Sequence, residues 1–345
     1  MRGQLQPVVW CLLAALLFGA STPASKVLLD EGGPLPLAGL LYLGAALAFA
    51  PWSFRGGSPA RFRAPRNIVG LGGAVVFGGI LGPALLLYGL QQAPSASVSM
   101  WLNLETVATA VLALLFFREN LEPRVWIANL GVVLAGVLLA APEGFGLAPA
   151  ALLVAAACVC WGLDNNWTAT IDGFTPEQTT LAKGVVAGSF NLGLGVALGQ
   201  PLPGWESTLA ALGVGALAYG ASIVLYIRGA QHLGATRSQM LFSTAPFLGV
   251  GLAWIGLGES AEAVQLLAGA MMIGSLAVML TAHHEHEHRH EAVTHTHLHC
   301  HEDGHHGHTH PDLPPEAWHT HEHSHEAMVH AHAHQPDLHH RHHHG

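Results

Sequence analysis

GLQQAPSASVSM at Gly89–Met100 and GAQHLGATRSQM at Gly229–Met240 are one pattern written twice, about 140 residues apart. Carried on without a gap, the overlay sets Leu112-Ala113 on Leu252-Ala253 and Glu119 on Glu259. With a gap of a few residues it also sets Phe18-Gly19 on Trp161-Gly162. Each match alone is weak, but their nearly shared offset marks an internal repeat. What one copy contains therefore decides the fold.

Hydropathy gives the content. A bilayer core of about 30 Å takes about 20 apolar helical residues to cross. Ten such runs follow one another, at roughly 7–29, 34–54, 67–91, 95–117, 124–141, 148–170, 176–199, 207–230, 236–257 and 262–281. Each copy holds five of them, an odd number, so the second copy must cross the membrane upside down. The sequence thus predicts an all-α polytopic membrane protein of ten transmembrane helices, arranged as two inverted five-helix repeats over residues 1–141 and 142–282. Residues 283–345 form a separate tail. Inverted repeats are a carrier architecture, with the solute site near the midplane where the halves meet.

Charge supports this division. Of 22 acids, 13 bases and 26 histidines, 10 acids, two bases (Arg289 and Arg341) and 25 histidines lie from His283 onward. The body keeps 12 acids and 11 bases, too few to cover a soluble surface. The formal charge of −9 belongs to the tail and gives no ground for a nucleic-acid partner; the expected partner of the body is the lipid bilayer. Arg2, Arg55, Arg61, Arg63, Arg66, Arg118, Arg124, Arg228 and Arg237 share one side if the N-terminus is cytoplasmic, with Lys26 the nearest exception. The positive-inside rule then places both termini in the cytoplasm, with the body in the cell membrane. FGAS at Phe18–Ser21 resembles a leader cleavage site, yet nine runs follow and the first has a later counterpart, so it is expected to stay. Cys11, Cys158 and Cys160 fall inside runs and Cys300 in the tail, with no C-x-x-C pair; small apolar residues and one tail thiol are the plainer reading.

Particular motifs carry a family resemblance. F-G-A-S-T-P-A-S-K (Phe18–Lys26), Q-Q-A-P-S-A-S-V-S-M (Gln91–Met100) and L-L-F-F-R-E-N (Leu114–Asn120) resemble the EamA-type drug/metabolite transporters. The later F-S-T-A-P-F-L-G-V-G-L-A-W-I-G-L-G-E (Phe242–Glu259) is closer still, including Pro246 and Glu259. The likeness spans residues 7–281 and leaves out the tail. It implies a ten-helix, two-repeat carrier, usually an exporter of small metabolites, and names no solute. One departure stands out: where the family has a proline midway along the fourth run, W-L-N-L-E-T places Glu105 and Thr106.

Polar residues within the runs are the candidate solute or coupling groups. Glu105 is about ten residues into its run, hence roughly 15 Å deep. A carboxylate there costs at least ~2.5 kcal/mol and normally faces a cavity or a partner. Ser97, Trp101, Glu105 and Thr109 recur every four positions and are expected to form one stripe. W-G-L-D-N-N-W-T (Trp161–Thr168) adds Asp164 and Asn165, and Asn103 and Lys26 complete the set. Asp164 reads equally as a cavity group or a helix-end cap, and Lys26 and Lys183 as ligands or snorkelling anchors. Gly78-x-x-x-Gly82 and Gly195-x-x-x-Gly199 read as close helix contacts. Trp10, Trp52 and Trp126 read as interface residues, and Glu119 and Glu259 as acids at the positive end of the helix that follows each. Nothing resembles a phosphate loop or a nucleophile with its base, so enzyme activity is not expected.

The tail reads as disordered, without helical or strand period and poor in large apolar residues. Its His284, His286, His288, His290, His295, His297, His299, His301, His306, His308 and His310 are candidate ligands for Zn, Ni, Co or Cu. No cofactor is required by the body, whose runs hold no histidine; His232 lies at a loop edge. Three readings stay open: an exporter whose tail captures divalent metal cargo or regulates transport, a metabolite exporter (of an amino acid, for example) with an incidental tail, and a membrane-anchored metal buffer or sensor.

Overall fold

The computed structural model describes residues 2–54, 64–117, 123–140 and 149–280, and in the tail 284–290, 293–299, 319–325 and 328–334. Ten helical runs fill the described body. They are α1 (Leu5–Leu28), α2 (Pro34–Ser53), α3 (Pro65–Gln92), α4 (Ser95–Phe116), α5 (Pro123–Ala140), α6 (Pro149–Thr170), α7 (Pro176–Ala197), α8 (Trp205–Leu233), α9 (Ala235–Gly256) and α10 (Ala263–Leu280). Seven of them, α1–α4 and α7–α9, are long and apolar enough to cross a membrane. In α6 the run Asp164-Asn165-Asn166 interrupts an otherwise apolar helix. Helix starts follow local chemistry. Proline opens α2, α3, α5, α6 and α7, where its missing N–H costs nothing. Thr175 and Gln178 close a capping box on α7.

Large apolar side chains cover the outside: Leu47, Ile127, Leu209 and Ile255 are all exposed. A soluble protein rarely leaves so continuous an apolar surface, and lipid is its natural solvent. Inside, Leu86, Leu87, Leu90, Met100, Trp101 and Met272 are fully buried. Helices α2 and α7 approach so closely that a Cβ added to Gly39 would meet the Leu192 backbone at 2.6 Å. Small residues permit such contact where hydrophobic collapse no longer drives association.

The repeat seen in the sequence returns as two local distortions. A π-helical segment occupies Ala74–Leu81 in α3 and another Gly215–Ala221 in α8, at the same shift of about 140 residues. α4 breaks after Trp101 and restarts at Leu104, and α9 breaks after Phe242 and restarts at Ala245. Residues after the break hold Glu105 in the first copy and Pro246 in the second.

The tail belongs to a separate unit. Four segments of it are described, as β1 (His284–His290), β2 (Val293–His299), β3 (His319–His325) and β4 (Met328–His334). β1 pairs antiparallel with β4, and β2 with β3. H-x-H-x-H is itself an alternation of period two, the strand repeat. Among the tail ligand candidates, His301, His306, His308 and His310 lie outside the described residues, as does Glu119 of the body.

Candidate functional site

The break in α4 creates the site. Residues Leu102 and Asn103 leave the helix, and Glu105 becomes the acid of the first turn of the restarted segment. A carboxylate is favoured there by the positive end of the helix dipole. The break also ends the expected four-residue stripe. Above it, Ser97 meets Gln265, and the Trp101 indole donates to the Gly136 carbonyl at 3.3 Å. Below it, Glu105 and Thr109 both face Asn165.

Asn165 gathers this group. Its Nδ2 donates to Glu105 Oε1 at 2.8 Å, Gln239 Oε1 at 3.1 Å and Thr109 Oγ1 at 3.2 Å. Two protons are thus shared among three acceptors drawn from α4 and α9. Next to it, Asp164 lies within α6 rather than capping its end, and Lys183 of α7 donates to Asp164 Oδ2 at 2.5 Å. The two side chains are 9% and 2% exposed, so Lys183 is no snorkelling anchor. Asp164 Oδ1, also buried, has no hydrogen-bond partner among the described residues. An unpaired carboxylate oxygen at such depth costs its full desolvation unless a donor reaches it.

Gly78 explains how Asp164 fits. A Cβ on Gly78 would stand 2.1 Å from Asp164 Oδ2, so only glycine admits the carboxylate against α3. The same π-helical turn offers the Gly78 carbonyl, which accepts from Tyr42 Oη at 2.5 Å and Trp161 Nε1 at 3.1 Å. π segments leave carbonyls turned out of the helix and are frequent at functional sites.

Tyr42, Glu105, Trp161, Asp164, Asn165 and Lys183 line one cavity with about 490 Å³ of empty space, its open mouth included. Both repeats contribute: Phe18, Tyr42 and Glu105 come from the first, and Asp164, Asn165, Lys183, Tyr219, Tyr226 and Phe242 from the second. The aromatic walls interlock, with Phe18 centred 5.6 Å from Tyr219 and 5.3 Å from Phe242, and Tyr42 5.4 Å from Tyr219. An apolar chamber with a few convergent polar groups is the usual form of a small-molecule site. Faces of aromatic rings also attract cations. Among the described residues no three His, Cys, Asp or Glu side chains converge as a metal site.

Glu105, Asp164 and Asn165 are therefore brought together, and the other three sequence candidates lie elsewhere. Trp101 packs in the core, and Asn103 bonds Met100 and Met272. Lys26 donates to the Leu90 and Ala93 carbonyls at 2.7 and 3.0 Å, closing the C-terminal end of α3. Glu259 does not serve the helix that follows it. Its carboxylate accepts from Ser95 N and Ala96 N at 2.8 and 2.9 Å, at the start of α4. One cation and one anion thus clamp both sides of the α3–α4 junction. The aromatic walls and Gln239 escaped the sequence reading, which reads Lys183 more as a snorkelling anchor than as a ligand. Lys183 had a usable signal, since seven residues into α7 is about 10 Å deep, beyond easy snorkelling.

A family described as the EamA-like transporter family matches residues 5–141 and 148–281. An "Uncharacterized transporter" of Methanothermobacter thermautotrophicus is 24% identical over 292 residues, covering 78% of this chain and 84% of its own. A solved structure titled "Crystal structure of protein" shares the fold, with a TM-score of 0.60 and 21% identity over 80% of this chain and 98% of that one.

Proposed function

The chain belongs to the EamA-like transporter family, as a multi-pass membrane protein with one match to that family in each repeat, and from that premise we propose that it exports a small organic solute bearing an amino group. The observation that carries this reading is the aromatic cavity holding Glu105 beside the Asp164–Lys183 pair. An ammonium group would meet Glu105 and the aromatic faces, and Asp164 Oδ1 and the remaining Lys183 donors would take a polar or carboxylate end. An amino acid has this pattern.

In this reading all ten runs cross the cell membrane, the five-helix repeats are inverted and both termini are cytoplasmic. The one-sided arginines and the distortions repeated in α3/α8 and α4/α9 support it. The two repeats rock about the cavity to expose it to each side in turn. The tail binds divalent metal and regulates that movement. A second reading, metal as cargo, is favoured by the 25 tail histidines alone.

The test compares cells carrying the gene, lacking it, or carrying a chain that ends at Ala282. Resistance to a panel of amino acids and divalent metals is scored with intracellular solute and metal contents. The body is a compact unit over Leu5–Ala282, so the shortened chain should insert, and it should still lower intracellular amine-bearing metabolite. Its response to added Zn or Ni should vanish. If the full chain instead lowers metal content alone and the shortened chain lowers nothing, the amine reading is wrong and metal is the cargo.

The α3–α4 clamp supplies a second prediction. Charge-assisted bonds contribute about 1.5–3 kcal/mol each. Glu259→Gln should loosen the junction and slow transport severalfold at normal membrane abundance, measured as initial rates in everted vesicles. A wild-type rate would reduce Glu259 to a helix cap with no part in the cycle.

A further inference from the structure

The two copies share contacts as well as sequence. A Cβ on Gly19 of α1 would stand 2.7 Å from Leu248 Cβ of α9. On Gly162, the counterpart of Gly19 in α6, it would stand 3.0 Å from the Ala108 backbone of α4, and Ala108 is the counterpart of Leu248. Each copy thus lays its first helix on the fourth helix of the other, at matching residues. The cavity breaks this symmetry. It follows α6 from Trp161 to Thr168 and α8 from Tyr219 to Ile227, toward the ends of those helices at Thr170 and Leu233. Among the described residues the first copy adds only Phe18, Tyr42 and Glu105 to its lining. In the topology proposed above, the helix ends it approaches are cytoplasmic.

Asp164, Thr168 and Tyr226 of the lining correspond to Ser21, Ser25 and Leu86, and Gln239, which meets Asn165 there, corresponds to Ser99. All four first-copy residues are sealed, each 1% exposed or less. Phe18, Ser21 and Ser25 are spaced by three and four residues along α1, so the row begins at the cavity wall. The Ser25 and Ser99 hydroxyls have no hydrogen-bond partner among the described residues. A buried hydroxyl costs free energy where no partner reaches it, and an aqueous path would hydrate both. Inverted-repeat carriers alternate by moving one copy against the other around a fixed site. Where the copies are equivalent, the path closed in one state is the counterpart of the path open in the other. We propose that the solute leaves between α1, α3 and α4, along Ser21, Ser25, Leu86 and Ser99. The inference rests on the reading of the chain as an inverted-repeat exporter and adds the exit route. That route presents hydroxyls where the cavity side presents a carboxylate and an amide. Its contacts with an ammonium are neutral rather than charge-assisted, which favours release.

The full chain carrying Ser25→Cys, Ser99→Cys, Thr168→Cys or Ser275→Cys, one at a time, is probed with a membrane-impermeant maleimide. Ser275 is the reference, a buried serine of α10 bonded to the Met271 carbonyl. Peptide mass spectrometry locates each modified residue, so the natural cysteines do not interfere. Cys replaces Ser at nearly equal size, and Ser21→Cys stands in for either outer variant that fails to insert. In right-side-out vesicles Ser25→Cys and Ser99→Cys should react about 10-fold faster than Ser275→Cys, because an open state of even a few per cent exposes the thiol. In everted vesicles Thr168→Cys should react and the two outer positions should match Ser275→Cys. If the outer positions match Ser275→Cys from both sides while Thr168→Cys reacts from the cytoplasmic side, the exit route is overturned and the topology stands. The same labelling with the sides exchanged overturns the cytoplasmic placement of the termini and makes the serine row the cytoplasmic route instead.

Discussion

Glu105→Gln is expected to cut transport of the solute by about 10- to 100-fold while membrane abundance stays normal. Glu105 is 6% exposed, begins a helix within the body and touches Asn165 across the cavity. Gln can still offer an oxygen to Asn165, so the polar group remains satisfied and the fold should hold. What disappears is the charge that would meet an ammonium, and charge-assisted contacts contribute about 1.5–3 kcal/mol, which is that range of rate or affinity. Initial uptake into everted vesicles, normalised to protein in the membrane, measures it. Glu105→Asp should recover part of the loss, since it keeps charge and shortens reach. A Gln variant with unchanged rate and unchanged pH profile would leave Glu105 only a packing role.

The position of Glu105 was legible because a carboxylate in an apolar run has few reasons to exist. Its neighbours were not, because the sequence did not show the break at Leu102-Asn103. In the second copy Pro246 announces the restart of the helix; in the first copy no proline does so, and an unbroken helix would have kept Trp101 and Glu105 on one face. Seven of the runs and the repeat were legible, since hydrophobic length and a shared offset survive without any tertiary contact. The aromatic walls were not: Phe18, Tyr42, Tyr219 and Phe242 lie on four helices, and each alone reads as an ordinary apolar residue. Glu259 shows the same limit. Its place before a helix was correct, but the helix it serves is joined to it only in space.

In the tail, composition and pattern point in different directions. Richness in charge and imidazole argued against a core, which is sound, but burial is only one way to order a chain. Alternation of period two was present in H-E-H-E-H-R-H, and the pairing of β1 with β4 follows that alternation rather than any apolar face.

Lys183→Ala should be the most damaging single change to stability. It would strand the Asp164 carboxylate among Tyr42, Trp161 and the Gly78 backbone, and removing one partner of a buried pair costs about 3–5 kcal/mol. Little inserted protein should survive, and the thermal transition in detergent should fall by several degrees at least. Asp164→Asn should hurt less, because the amide still accepts from Lys183, although the ammonium then lacks its counter-charge. Replacing both, as Asp164→Leu with Lys183→Met, removes both buried charges at similar volume, and such swaps are often neutral for stability. Abundance and thermal transition should therefore return to near wild type in the double variant. Transport should not return, since Asp164 Oδ1 and the Lys183 ammonium would no longer face the solute. Stability measured by size-exclusion fluorescence and flux measured in vesicles separate the two roles. A double variant that is both stable and fully active would mean that the pair only fills a gap between α6 and α7, and that recognition rests on Glu105 and the aromatic walls alone.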